Sequence, residues 1–213
     1  MTASQRPRLL RRMGTAIFLL LGALAPPTLC IANAADSFEP FTRYTLVVSA
    51  EGGINHFGGR LNSTFVQTWD LAARFSVLPF DSFRMNLLGG GLDGALEVGL
   101  QPVFQRFETL GQNFAGVGLA LRYYLIHWRF GRFVPYVNAS AAPGGTDLRI
   151  SGLQGPFMFL IQAGFGLSYF ATEHTAFYAG YQVEHVSNAY THGTDYGLES
   201  PGGAVFGVSY FFH

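Results

Sequence analysis

From residue 35 onward the sequence contains no apolar run of 18 residues, so it encodes no bilayer-spanning helix there. Yet the chain is 49% hydrophobic and only 12% charged, where soluble domains carry about 25% charged residues. Within hydrocarbon, every backbone N–H and C=O needs an internal partner, and only helices and closed barrels supply one. With the helix excluded, an all-β chain closed into a barrel is the expected fold. The abundance of Gly, Phe and Tyr suits it.

The first 34 residues have another character. Arg6, Arg8, Arg11 and Arg12 make a basic start, residues 15–25 are apolar, and Ala32-Asn33-Ala34 is a small-x-small cleavage pattern. This predicts a signal peptide over 1–34 and a single outer-membrane barrel domain over 35–213. Cys30 follows bulky Leu29, which is not a lipoprotein context, and leaves with the signal. The mature chain then has no cysteine for disulfides or thiolate metal sites. It carries 9 arginines against 13 acidic residues, a net charge of −4, which argues against a nucleic-acid partner.

Eight segments have strand character: 41–51, 63–80, 93–108, 113–128, 133–142, 156–172, 175–188 and 202–212. Glycine-rich turn signals separate them, among them Gly52-Gly53, the Gly89-Gly90-Gly91 run and Pro143-Gly144-Gly145. This predicts an eight-stranded antiparallel transmembrane barrel. Tyr123, Tyr124, Trp128, Tyr169, Phe170, Tyr210, Phe211 and Phe212 lie near strand ends, where interfacial girdles belong. With both termini in the periplasm, the seventh segment ends on the extracellular side.

Successive strand residues face opposite ways. In the seventh segment the odd positions are apolar until His185 and Ser187, so these two share the lipid face. The even positions carry Gln182 and Glu184 and should face the interior, with Arg122 or Arg149 as partners for Glu184. Polar groups on a lipid-facing surface need a reason. A serine becomes a useful nucleophile when a base takes its proton, and a histidine does so best when an acid orients it. Two positions along a strand are about 7 Å apart, which an imidazole bridges to a hydroxyl. Glu199, across the hairpin, is the candidate acid, with Asp195 as the alternative. Asn188 is a candidate oxyanion donor through its side chain or backbone N–H.

Here the residues carry a family resemblance. Gly180-Tyr181-x-x-Glu184-His185-x-Ser187-Asn188-Ala189, followed by Gly197-Leu198-Glu199-Ser200, resembles the C-terminal signature of the lipid A 3-O-deacylases of PagL type. Phe133-Val134-Pro135-Tyr136, Gly155-Pro156-Phe157 and Ala163-Gly164-x-Gly166 are also similar to that family. The resemblance runs from about residue 96 to 212. It implies a Gram-negative outer-membrane enzyme that releases the 3-O-linked hydroxyacyl chain of lipid A by hydrolysis. It implies Ser187 as nucleophile, His185 as general base and acid, Glu199 as its orienter and Asn188 at the oxyanion hole. It implies lipopolysaccharide as substrate and no cofactor or metal. A homodimer is compatible with it.

Glu199 has odd parity on the last strand, whose lipid face is even through Phe206, Val208, Tyr210 and Phe212. A bulge near Pro201-Gly202-Gly203 would reconcile the two. Two alternatives stand beside the deacylase. One is a catalytically silent barrel with a structural or adhesion role. The other is a different surface lipid acyl hydrolase or acyltransferase on the same scaffold.

Overall fold

The computed structural model describes residues 39–58, 65–87, 90–193, 195 and 197–213. The signal segment expected over 1–34 lies outside them. The described strands are β1 (Leu46–Gly58), β2 (Phe65–Val77), β3 (Phe83–Leu87), β4 (Gly90–Phe107), β5 (Gln112–Tyr124), β6 (Phe133–Thr146), β7 (Phe157–Phe170), β8 (Thr175–Ser187) and β9 (Leu198–Phe212).

Each strand pairs antiparallel with its neighbours, and β1 pairs with β9. The ladder between β2 and β4, from Thr68↔Phe107 to Val77↔Val98, closes the ring. The result is a closed eight-stranded antiparallel barrel of β1, β2 and β4 to β9. Closure leaves the ring of eight strands without a free edge. Strand β3 stands outside the ring and pairs only with Gly90–Gly94 of β4. Gly90 and Gly91 of the run expected as a long turn are therefore strand residues of a small extra hairpin.

Two other expected turns are strand interior. Gly52-Gly53 lies within β1 and Pro143-Gly144-Gly145 within β6, which runs to Thr146. The reason is close approach between neighbouring strands. A Cβ on Gly53 would stand 2.4 Å from Asp70 Oδ1, and one on Gly144 would stand 2.4 Å from the Ala115 carbonyl oxygen. Glycine inside a strand marks such a contact as readily as a turn.

The interior is filled with side chains in layers, as eight strands require. At mid-height lie paired charges: Arg74 to Glu51 at 3.1 Å, Arg74 to Glu97 at 3.8 Å and Arg122 to Glu51 at 3.4 Å. The Arg122 guanidinium also sits 4.0 Å over the Tyr178 ring and 4.5 Å over Tyr136. Glu184 faces inward as expected, but among the described residues no arginine meets it. Its carboxylate accepts from the side-chain amides of Gln105 at 2.7 Å, Gln162 at 2.8 Å and Gln182 at 3.0 Å. Arg122 is committed to Glu51, and Arg149 lies in a loop.

Apolar clusters close this polar belt at both ends. One, with Phe41, Val47, Tyr124, Val134, Phe170 and Phe211, lies toward the ends where β1 begins and β9 finishes. The other, with Phe57, Phe107, Phe114, Leu148, Leu153 and Leu198, lies under the loops at the opposite end. Three of the eight expected girdle aromatics turn inward as a result: Tyr124, Phe170 and Phe211 are fully buried, whereas Trp128, Tyr169, Tyr210 and Phe212 are exposed. Asp70 is likewise inside the barrel. The outer wall carries exposed Leu71, Phe75, Leu100, Leu119, Phe165, Phe177 and Phe206, a surface suited to hydrocarbon.

Candidate active site

Strand β8 ends at Ser187 with the alternation read from its sequence. Gln182, Glu184 and Val186 are buried, while Val183 is exposed and His185 and Ser187 are half-exposed on the outer wall. Toward β7, Ile161 is the cross-strand neighbour of His185, and Phe159 is the neighbour of Ser187. Phe159 meets Phe157 edge to face, with ring centroids 5.3 Å apart. Ser187 thus borders an apolar outer wall on one side.

Toward β9, His185 is paired directly with Glu199. Directly opposed residues have Cβ atoms about 4.5–5.5 Å apart, within side-chain reach. The parity conflict is resolved by a bulge. Between the pairs Gln182↔Gly203 and Glu184↔Ser200, β9 spends one residue more than β8. The β1 side registers the same shift between Ile54↔Ala204 and Gly58↔Glu199. The extra residue flips every later side chain, so Glu199 is exposed and Ser200 is buried.

The bulge is held from both faces. Gly202 has φ of 142°, a conformation L side chains rarely adopt, and a Cβ there would collide with the Tyr181 ring. The Tyr181 hydroxyl donates to the Pro201 carbonyl. From inside, Ser200 Oγ accepts from the Gly202 N–H at 3.2 Å, and Asn55 lies against Gly203. Gly197 makes room for the histidine: its φ is 62°, and a Cβ would stand 2.7 Å from His185 Cε1.

Asn188 is fully buried. Its Nδ2 donates to the Gln154 carbonyl at 2.9 Å, and its Oδ1 accepts from the Tyr190 N–H at 2.9 Å. Its carbonyl accepts from the Thr191 N–H at 3.0 Å and from the Thr191 hydroxyl at 2.6 Å. This turn carries Ala189 at φ 49° and Tyr190 at φ 59°, two consecutive non-glycine residues in the left-handed region. Such strain costs about 1–3 kcal/mol per residue and gathers at functional sites. Asp195, the alternative acid, accepts the Gly197 N–H at 3.0 Å and forms an isolated bridge with Leu153. His192 is exposed in the same loop.

The fold therefore brings His185, Ser187 and Glu199 together on the outer wall at one end of the barrel. It turns the Asn188 side chain inward to fasten a loop. Tyr181 and Gly197, which the signature includes without a role, and Phe159, which it does not include, belong to the same neighbourhood. Gly144-Gly145, expected as part of a turn, lies in the β6 ladder. Among the described residues, no three His, Cys, Asp or Glu side chains gather into a metal site.

The family model for lipid A 3-O-deacylase (PagL) matches residues 67–205, which spans the closing ladder, β8 and the bulge. No curated protein sequence matches the chain. Among solved structures, the chain is similar to the outer membrane enzyme PagL, with a TM-score of 0.53 and 17% identity, covering 76% of this chain and 97% of that one. It is similar to the same degree to Neisserial surface protein A (NspA), with a TM-score of 0.53 and 16% identity, covering 78% of this chain and 97% of that one. At these identities the two likenesses establish the barrel fold.

Proposed function

This chain belongs to the lipid A 3-O-deacylase (PagL) family, and from that premise we propose that it is an outer-membrane serine esterase that removes the 3-O-linked hydroxyacyl chain of lipid A. The observation that carries the reading is the pairing of His185 with Glu199 beside outward-facing Ser187. A wall exposed to hydrocarbon gains nothing from an imidazole, a hydroxyl and a carboxylate unless they act together.

In this reading Ser187 Oγ attacks the ester carbonyl while His185 takes the hydroxyl proton. Glu199 holds the second ring nitrogen, fixes the tautomer and stabilises the imidazolium that forms. The tetrahedral oxyanion is met by a backbone N–H at Asn188, because the Asn188 side chain is fully buried with its Nδ2 fastened to the Gln154 carbonyl. His185 then returns its proton to the sugar 3-oxygen, which leaves with an acyl-Ser187 ester behind. A water, deprotonated by His185, attacks that ester. The hydroxy fatty acid departs and Ser187 recovers its proton. The apolar residues Phe157, Phe159 and Ile161 offer a bed for the acyl chain.

The position fits the substrate. The site lies at the rim of the apolar wall, where an acyl ester meets its sugar headgroup. The test is mass spectrometry of lipid A from cells that express the wild-type chain or Ser187→Ala, with both proteins verified in the outer membrane. Loss of one hydroxyacyl mass in the wild type alone is expected. Unchanged lipid A in both would sink the proposal.

A further inference from the structure

Beside Ser187 two loops are tied together, and a cation stands on the tie. The loop over 147–156, between β6 and β7, meets the loop over 188–197, between β8 and β9. Asn188 Nδ2 donates to the Gln154 carbonyl at 2.9 Å, and Leu153 bridges Asp195. The His192 ring packs on Gly155, where a Cβ would stand 2.8 Å from the ring. Arg149 is fastened to the same place. Its backbone N–H donates to Gln112 Oε1 at 3.1 Å, and its Nη1 donates to the carbonyls of Leu148 at 2.8 Å and Gly155 at 2.9 Å. From the guanidinium, the path to Ser187 runs through Gly155, Gln154 and Asn188.

No carboxylate of the described barrel pairs with this charge. Among the described residues Arg149 has no ion-pair partner, and its Nε and Nη2 make no hydrogen bond. The nearby carboxylates are otherwise engaged: Asp147 accepts from the Asn113 N–H, and Asp195 accepts from the Gly197 N–H. Arg74 and Arg122 are buried against glutamates, Arg84 pairs with Asp93, and Arg106 donates to Asn113. Arg149 is thus an exposed cation in a chain whose residues 35–213 carry a net charge of −4, held by one terminal nitrogen while Nε and Nη2 have no partner among the described residues. A guanidinium fork matches a phosphate, which it binds through two parallel charge-assisted hydrogen bonds. Lipid A is a phosphorylated glucosamine disaccharide, so a phosphate lies on the headgroup whose ester reaches Ser187.

We propose that Arg149 is the phosphate anchor of the site, binding a phosphate monoester on the sugar headgroup while the acyl ester is presented to Ser187. This rests on the deacylase reading and adds the group that positions its substrate. Because Nη1 is fixed by two chain carbonyls, the fork is oriented before substrate arrives, and little side-chain freedom is lost on binding.

The experiment compares kcat/KM in detergent micelles for lipid A with its phosphates and for lipid A stripped of them. It uses the full mature barrel as wild type, Arg149→Gln and Arg149→Lys. Glutamine keeps a donor for the loop carbonyls without the charge. The wild type is expected to favour the phosphorylated lipid by about tenfold or more. In Arg149→Gln that ratio should fall to about one, and Arg149→Lys should retain part of it. Equal loss on both lipids in Arg149→Gln would mean that Arg149 only ties the loop, and the proposal would be overturned. Inhibition of the wild type by inorganic phosphate, escaped by Arg149→Gln and without preference between the lipids, would also overturn the headgroup assignment. A wild type inactive on both lipids would overturn the deacylase reading itself, which keeps the two failures apart.

Discussion

His185 and Glu199 are direct cross-strand partners because β9 spends one residue more than β8 just before they meet. Without that extra residue Glu199 would point into the barrel and Ser200 would face outward. The bulge lies at Pro201-Gly202, with Tyr181 on its outer side and Ser200 and Asn55 on its inner side. A local irregularity of the ladder thus sets which side chain stands beside the histidine.

If Glu199 orients His185, then Glu199→Ala should lower kcat by about four orders of magnitude, with Ser187→Ala and His185→Ala costing more. Asp195→Ala should cost far less. Rates of hydroxy fatty acid release from purified lipid A would check this. A larger loss from Asp195→Ala than from Glu199→Ala would reverse the assignment of the acid.

Gly202→Ala should reduce activity more than it reduces stability. Its φ of 142° and the contact with Tyr181 leave no room for a Cβ, so the bulge must shift and Glu199 with it. The strain is about 1–3 kcal/mol, which a closed barrel can absorb. Tyr181→Phe, which removes the bond to the Pro201 carbonyl, should give a milder, several-fold loss of kcat. Folding is read from the gel shift between heated and unheated samples, and kcat from product release. Full activity in Gly202→Ala would detach the bulge from the chemistry.

Asn188 separates two kinds of oxyanion donor. Its Nδ2 is bonded to the Gln154 carbonyl, so the backbone N–H is the group assigned to the oxyanion. Asn188→Ala keeps that N–H and loosens the turn, and kcat should fall by roughly tenfold. Loss of a side-chain donor to the oxyanion costs about 10²–10³. A loss in that upper range, with hydrogen exchange across 188–191 unchanged, would return the role to the side chain.

Inside the barrel, Glu184→Gln should be close to neutral while Glu184→Ala should destabilise. Glu184 accepts three amide hydrogen bonds, and Gln105 Oε1 is a buried acceptor without a partner. A glutamine at 184 keeps an acceptor for Gln162 and Gln182, and its own amide can donate to Gln105 once that side chain flips. Alanine leaves buried amides unpaired, at about 1–3 kcal/mol each. Denaturant midpoints in detergent would show the order. Equal midpoints for the two variants would mean that this network carries no stability.

The apolar composition without a spanning helix determined the barrel, and the period-2 pattern of β8 determined that His185 and Ser187 share the outer wall and Glu184 the inner one. Those readings hold because alternation is local geometry that each strand imposes on its own residues. Three matters needed the closed structure. The glycines at 52–53 and 144–145 sit inside ladders instead of turning them, and Gly53 and Gly144 are there because neighbours distant in sequence leave no room for a Cβ. Glu184 found glutamines rather than an arginine, because Arg122 was taken by Glu51 from the far wall. The placement of Glu199 depended on a bulge whose residue count appears only when β8 and β9 are laid side by side. Parity along one strand is written in that strand, but the register between strands is fixed by every ladder of the ring closing at once.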